Sequence, residues 1–234
     1  GCMMACVPLY PYSCKPEDMM YSVEAMHDRY LFGDVHVRGE YPSYAIKEWE
    51  RKGFNIYMEP EDKEILKNGT VDYIGLSYYM TNAVKADNVE EGDGVSGFPG
   101  SVPNPYVKSS DWGWQIDPIG LRYALNLLYE RYQKPIYITE NGLSCHDVIS
   151  LDGKVHDPNR IDFLGRYLHE LKRAATEVDI RGYFQWSLMD NFEWARGYSE
   201  RFGLVYVDYP TQQRILKDSA YWYKHVIKTN GEEI

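Results

Sequence analysis

The sequence predicts an α/β chain of parallel strands and crossover helices, of the (βα)8 TIM-barrel class. Two observations lead there. Short, continuously apolar runs alternate with amphipathic helical stretches along the chain, the pattern of strands buried on both faces. Such an alternation calls for right-handed crossovers between parallel strands. The polar residues suited to chemistry, Tyr79, Glu140, Trp186 and Glu193, stand at the ends of strand runs or just after them. That is where a barrel of this class carries its active site.

Residues 2–9 form an apolar run closed by Pro8-Leu9-Tyr10-Pro11 and read as a first buried strand. Residues 15–30 follow as a helix, with Met19, Met20, Val23 and Met26 recurring at spacings of three and four and Pro16 in the tolerant first turn. Helices are also predicted over 44–52, stopped by Gly53, and over 62–68, stopped by Gly69. Residues 71–79, rich in Tyr, Ile and Val, are a second strand. The Gly-, Pro- and Asn-rich stretch 88–106 is expected to be a functional loop or disordered, because so long an irregular segment is uncommon inside a compact domain.

Pro118 opens a helix through 132, with Leu121, Leu125 and Leu128 on one face. Residues 135–139 are a third strand. A long helix over 157–176 carries the stripe Ile161, Leu164, Leu168 and Leu171. Residues 180–188 are a fourth strand, 202–207 a short extended piece, and 219–227 a final helix. This gives four βα units in 234 residues, whereas the full barrel has eight units in about 250 residues. Either the loops are long or the other half is absent.

Composition narrows the function. Hydrophobic residues make up 44% and charged residues 26%, enough for an ordinary core. The formal net charge, 25 − 35 = −10, argues against a nucleic-acid partner, which needs clustered Lys and Arg. No run of about 18 apolar residues is present to cross a membrane, and no signal peptide is visible, so a cytoplasmic location is expected. The opening Gly1-Cys2-Met3-Met4 does not look like a natural start and suits an excised or recombined piece. Cys2, Cys6, Cys14 and Cys145 form no Cys-x-x-Cys pair and have no His at metal spacing, so reduced thiols, no metal and no cofactor are expected. Aromatics reach 15%, with 22 Tyr and 6 Trp. Their flat apolar faces with one polar atom suit sugar rings, and equally a Tyr-rich core and surface.

Three constellations could carry chemistry. In Pro135-Ile136-Tyr137-Ile138-Thr139-Glu140-Asn141-Gly142, a carboxylate stands at the end of a buried strand, before a turn that Gly permits. An unpartnered carboxylate there is costly, so the position suggests a purpose; a Glu capping the next segment or pairing with an Arg is the plainer reading. In Trp186-Ser187-Leu188-Met189-Asp190-Asn191-Phe192-Glu193-Trp194, aromatic faces and an acid could clamp sugar hydroxyls, or the tryptophans could be packing while Glu193 is solvated. Ser77-Tyr78-Tyr79 closes its strand and could be ordinary strand residues. The histidines are scattered singly and form no triad pattern with a Ser.

Taken together these segments resemble glycoside hydrolase family 1, the β-glucosidase and 6-phospho-β-glucosidase family, over essentially the whole chain. The carriers are I-T-E-N-G at 138–142, W-S-L-M-D-N-F-E-W at 186–194, R-F-G-L-V-Y-V-D at 201–208 and K-D-S-A-Y-W-Y at 217–223, in that order. The family is a (βα)8 barrel and these motifs belong to its fifth to eighth units. The resemblance therefore implies that residues 1–234 are the C-terminal half of the barrel, with no second domain. It implies Glu140 as the nucleophile of a retaining β-glucosidase and Tyr79 as the tyrosine touching it. Trp186 is implied to stack under the glycone, and Glu193 and Trp194 to bind its hydroxyls. Ser77, which stands where many members carry Asn, is expected to be a further substrate-binding residue.

Retaining enzymes pair the nucleophile with an acid/base about 5–5.5 Å away. The family takes that residue from an Asn-Glu-Pro type motif, and the one Glu-Pro here, Glu59-Pro60, lies in a polar stretch with no strand before it. The acid/base is thus expected to lie outside this chain. Open sheet edges call for a complementary N-terminal-half chain, or for pairing between copies. The first part, including Val7-Pro8-Leu9-Tyr10-Pro11, resembles the 6-phospho branch, and the part from about Ile138 the branch acting on unphosphorylated sugars. Where the phospho branch carries Ser, Lys and Tyr, this chain has Glu193, Glu200 and Phe202. Two carboxylates would repel a phosphate, which favours neutral glucosides. A 6-phospho-β-glucosidase half, a non-catalytic sugar-binding or scaffold half-barrel, and an engineered chimera are the alternatives.

Overall fold

A computed structural model describes residues 1–88 and 99–234. Four strands form one all-parallel sheet: β1 (Cys2–Ala5), β3 (Ile74–Ser77), β6 (Ile136–Glu140) and β7 (Ile180–Tyr183), in that spatial order. Each sequence neighbour in this set is also a spatial neighbour, as the predicted βα units require. The crossovers run through α1 (Pro16–Arg38), α4 (Pro118–Tyr132) and α5 (Pro158–Ala174), and α6 (Asp218–Lys228) follows β7. Two smaller helices, α2 (Ser43–Arg51) and α3 (Asp62–Asn68), extend the first crossover. Among the described residues, β1 and β7 are paired on one side only.

Local signals explain where the helices begin and end. Pro16, Pro118 and Pro158 each occupy a first turn, where the missing N–H costs nothing. Asp117 caps α4 through its Oδ1, which accepts from the Gly120 N–H at 2.8 Å. Gly39 caps α1 in the left-handed region at φ 71°, so the helix runs to Arg38, eight residues beyond the predicted end at Tyr30. The added turns hold Asp34, wholly buried, under a bidentate Arg131 at 2.8 and 2.6 Å and the hydroxyls of Tyr44 and Tyr132.

The core lies between the sheet and α4 and α5. Leu121, Leu125 and Leu128, the predicted face of α4, are all fully buried with Ile74, Leu76, Ile136 and Ile138. Each such side chain contributes about 1.5–3 kcal/mol over its exposed state. In α5 the predicted stripe is rotated slightly: Leu164 and Leu168 are buried with Phe163 and Tyr167, while Ile161 and Leu171 are only half-buried.

Several expectations need correction. The first strand ends at Ala5, and the chain then forms β2 (Leu9–Pro11) in a separate three-stranded sheet with β4 (Asn82–Val84) and β5 (Ser101–Val102). The second strand is limited to Ile74–Ser77, and the fourth stops at Tyr183; Phe184 and Trp186 still donate to Ile138 and Asn141, but from Ser187, whose N–H donates to the Phe202 carbonyl at 3.1 Å, the chain pairs elsewhere. The extended piece at 202–207 is β8 (Val205–Asp208), one arm of a hairpin with β9 (Gln213–Leu216). In α1, Met26 is buried, but Met19, Met20 and Val23 are exposed. Of the predicted loop 88–106, residues 89–98 lie outside the described residues, and Ser101–Val102 is strand. No helix among the described residues is long and apolar enough to cross a membrane.

Candidate active site

The C-terminal ends of β3 and β6 meet with a shift of register. Leu76 pairs with Ile138, but Ser77 pairs with Glu140, so one residue of β6 is skipped. Bulges of this kind re-aim side chains at strand ends. Here the result is that Ser77 Oγ donates to Glu140 Oε2 at 2.9 Å and Tyr79 Oη donates to the same oxygen at 3.1 Å. Among the described residues no donor reaches Glu140 Oε1. Burial, and then the nearby Glu140 charge, push the Tyr79 phenol well above its usual range, so it stays a donor.

An aromatic wall stands beside this pair. The Tyr79 ring lies 5.3 Å from Trp114 and 6.0 Å from Phe202, and Trp112 stacks on Trp114 at 4.3 Å with an interplanar angle of 17°. Arg196 approaches the Trp112 ring to 5.6 Å. Trp112 and Trp114 come from the connection before α4, so neither strand pattern nor helix period marks their place.

The chain after β7 supplies the second group. Trp186 and Glu193 are half-buried, while Trp194 is 82% exposed in a single 3-10 turn (Trp194–Arg196). Burial, then Glu200 and then Glu140, raise the Glu193 carboxyl above its usual range. Glu140, Glu193 and Glu200 thus share one electrostatic neighbourhood. Glu200 is buried and accepts a hydrogen bond from Ser144 Oγ, and Phe202 is buried against the aromatic wall. Glu59, of the Glu-Pro pair, is exposed and accepts from Tyr57 Oη at 2.8 Å in the connection before α3. It is engaged outside this cluster.

A buried charge cluster supports both loops. Lys217, wholly buried, bridges Asp147 in the loop after β6 and Asp190 in the loop after β7. Arg160 joins Asp147 at 2.8 Å and also pairs with Asp157. Arg201 binds Asp190 at 2.6 Å, and Asp190 Oδ1 accepts from the Gly203 N–H at 2.9 Å. No local pattern announces these partners, which stand up to 70 residues apart. Among the described residues no group of His, Cys, Asp and Glu could hold a metal ion.

A four-stranded parallel sheet with a hydroxyl-bound glutamate at a strand end, and with aromatic rings and further acids on the neighbouring loops, defines a (βα)-type chain with its candidate site at the C-terminal strand ends. The glycosyl hydrolase family 1 model matches residues 1–232, and the chain belongs to that family. It is 52% identical to the aryl-phospho-β-D-glucosidase BglA of Bacillus subtilis, over 100% of this chain and 51% of that protein. It is 43% identical to β-glucosidase A of Thermotoga maritima, over 95% of this chain and 49% of that one. The solved family 1 β-glucosidase of Thermotoga maritima superposes with a TM-score of 0.85 at 40% identity, covering 99% of this chain and 51% of its own. The chain spans about half the length of the curated relatives it matches.

Proposed function

We propose that this chain is the nucleophile-bearing half of a retaining β-glucosidase. The observation that carries the proposal is the Glu140 carboxylate held on one oxygen by Ser77 and Tyr79, with Oε1 left to react. Two donors on one oxygen fix the carboxylate plane, which keeps the free oxygen aimed. Glu140 attacks the anomeric carbon, a C–O ester bond forms, and the bond to the leaving oxygen breaks. That oxygen needs a proton unless it leaves as a stable phenolate. Water then attacks the same carbon, its proton passes to the base form of the group that protonated the leaving oxygen or to solvent, and the Glu140 carboxylate leaves. Trp186 supplies a stacking face, and Glu193 and Trp194 supply acceptor and donor groups for glycone hydroxyls.

The proton donor is proposed to come from a complementary N-terminal-half chain or, failing that, from a second copy paired through the open edges. Supporting this are the half-length match, the single-sided pairing of β1 and β7, and the exposed Phe184, Leu188 and Phe192 beyond the β7 edge. The neutral-sugar reading is supported by Glu193 and Glu200: burial and then the Glu200 charge raise the Glu193 carboxyl, and a phosphate would add a further negative charge beside them. A 6-phospho-β-glucosidase half is the second reading, favoured by the 52% identity to an aryl-phospho-β-D-glucosidase.

The test is hydrolysis of 2,4-dinitrophenyl β-glucoside by the purified 234-residue chain with and without azide. The proposal expects poor turnover, accelerated by azide and lost in Glu140→Gln. Robust turnover without azide would sink the missing-acid account; glucose binding with no azide effect would point to a sugar-binding scaffold. Preferential binding of the 6-phosphoglucoside would favour the second reading.

A further inference from the structure

The two residues after Glu140 make more contacts than a turn requires. Asn141 is wholly buried, and its side chain reaches both neighbouring strands. Its Nδ2 donates to the Tyr78 carbonyl at 2.9 Å, and its Oδ1 accepts from Tyr183 Oη at 2.8 Å. Its own carbonyl accepts from the Trp186 N–H at 2.8 Å, and the Tyr78 N–H donates to the Glu140 carbonyl at 2.9 Å. Tyr78 lies between Ser77 and Tyr79, the two residues whose hydroxyls hold the Glu140 carboxylate. Tyr183 closes β7, and Trp186 follows it after two residues. Asn141 therefore ties together, at one level, the strand that carries the two donors, the strand that carries the carboxylate, and the segment that carries Trp186.

The residue type fits this task closely. A planar amide offers a donor on one side and an acceptor on the other; Asp would set an acceptor against the Tyr78 carbonyl. An apolar residue would leave that carbonyl and the Tyr183 hydroxyl without their partner. Gly142 completes the device, since a Cβ there would stand 1.8 Å from the Trp186 carbonyl oxygen.

We propose that Asn141, backed by Tyr183, is a positioning residue that sets the register of the Ser77 and Tyr79 hydroxyls and of Trp186 against Glu140. The inference rests on the proposed role of Glu140 as nucleophile. Its physical content is that attack needs near-contact geometry, where a displacement of about 1 Å costs roughly 100-fold in rate.

The test compares Asn141→Ala, Asn141→Asp and Tyr183→Phe with the unchanged 234-residue chain, using two readouts. Residue-resolved hydrogen exchange reads the Tyr78 and Trp186 amides and needs no activity. These amides are expected to exchange about tenfold faster or more in the Asn141 variants. The Ile74 and Ile136 amides, bonded to Pro135 and Asp179 at the far end of the sheet, are expected to keep their protection. The second readout is covalent labelling by 2,4-dinitrophenyl 2-deoxy-2-fluoro-β-glucoside. Its maximal rate is expected to fall by about 10–100-fold in Asn141→Ala and less in Tyr183→Phe, with a small change in half-saturating concentration. Unchanged Tyr78 and Trp186 amides would overturn the proposal. So would equal acceleration at Ile74 and Ile136, which would make Asn141 a stabiliser of the whole sheet, or an unchanged maximal rate. If the unchanged chain is not labelled at Glu140, the nucleophile reading fails on its own, and the exchange readout still decides whether Asn141 sets the register.

Discussion

Replacing Lys217 with Met probes the charge cluster beneath the site. Three cations, Arg160, Lys217 and Arg201, face three carboxylates, Asp147, Asp157 and Asp190. Lys217 is wholly buried, and Asp147 and Asp190 are nearly so. The Met side chain fills similar space but leaves one buried negative charge uncompensated. Breaking a buried pair from one side costs about 3–5 kcal/mol, a large share of a total stability of about 5–15 kcal/mol. Urea unfolding followed by tryptophan fluorescence measures it; with a slope of about 2 kcal/mol/M the midpoint falls on the order of 2 M. Adding Asp190→Asn removes the unpaired charge, so the double variant is less destabilised than the sum of the two single variants. A single-variant loss under about 1 kcal/mol, or strict additivity, would refute the reasoning.

Three further outcomes are expected. His156 sits between Asp218 at 2.6 Å and Asp152 at 3.1 Å, and these partners, Asp218 first, raise it above its ordinary 6.5. A raised histidine contributes stability that is fully present below pH 6.5 and lost as pH rises through the higher folded value; His156→Gln must flatten that part of a melting-temperature profile between pH 6 and 9, and an unchanged slope contradicts the assignment. Changing Glu193, Glu200 and Phe202 together to Ser, Lys and Tyr reverses the local charge, so calorimetry should show affinity for a 6-phosphoglucoside rising on the order of tenfold or more; no gain would remove these residues from phosphate discrimination. Gly142→Ala forces the Trp186 backbone away and should cost about 1–3 kcal/mol in the same urea assay, a neutral result contradicting the close approach.

The legible part of the chain was the part written in short-range patterns. The run from Pro135 to Glu140 reads as a buried strand because Ile136 and Ile138 face the core and the carboxylate comes at its end. The α4 face reads correctly because Leu121, Leu125 and Leu128 recur at helical spacing. The α1 stripe misleads, since Met19, Met20 and Val23 carry the right period but have nothing packed beyond them. The apolar run after Ile180 reads as one strand, yet regular strand ends at Tyr183: Phe184 and Trp186 still donate to Ile138 and Asn141, and from Ser187 and Leu188 the bonds go to Phe202 and Val205. The hairpin arm Gln213–Leu216 is mostly exposed and only four residues long, so no periodicity reveals it. Ser77 stands visibly at its strand end, but its bond to Glu140 depends on a register shift that no strand pattern encodes. The Lys217 cluster and the amide bridge of Asn141 are long-range pairings of single residues, invisible until the strands are assembled.

The chemical role of Glu140 is open to one direct measurement. The 234-residue chain, treated with 2,4-dinitrophenyl 2-deoxy-2-fluoro-β-glucoside, is digested and mapped by mass spectrometry. One fluoroglucosyl adduct on the peptide containing Glu140, absent in Glu140→Gln, is the predicted result. An adduct on Glu193, Glu200 or another carboxylate, or one that persists in Glu140→Gln, would contradict it.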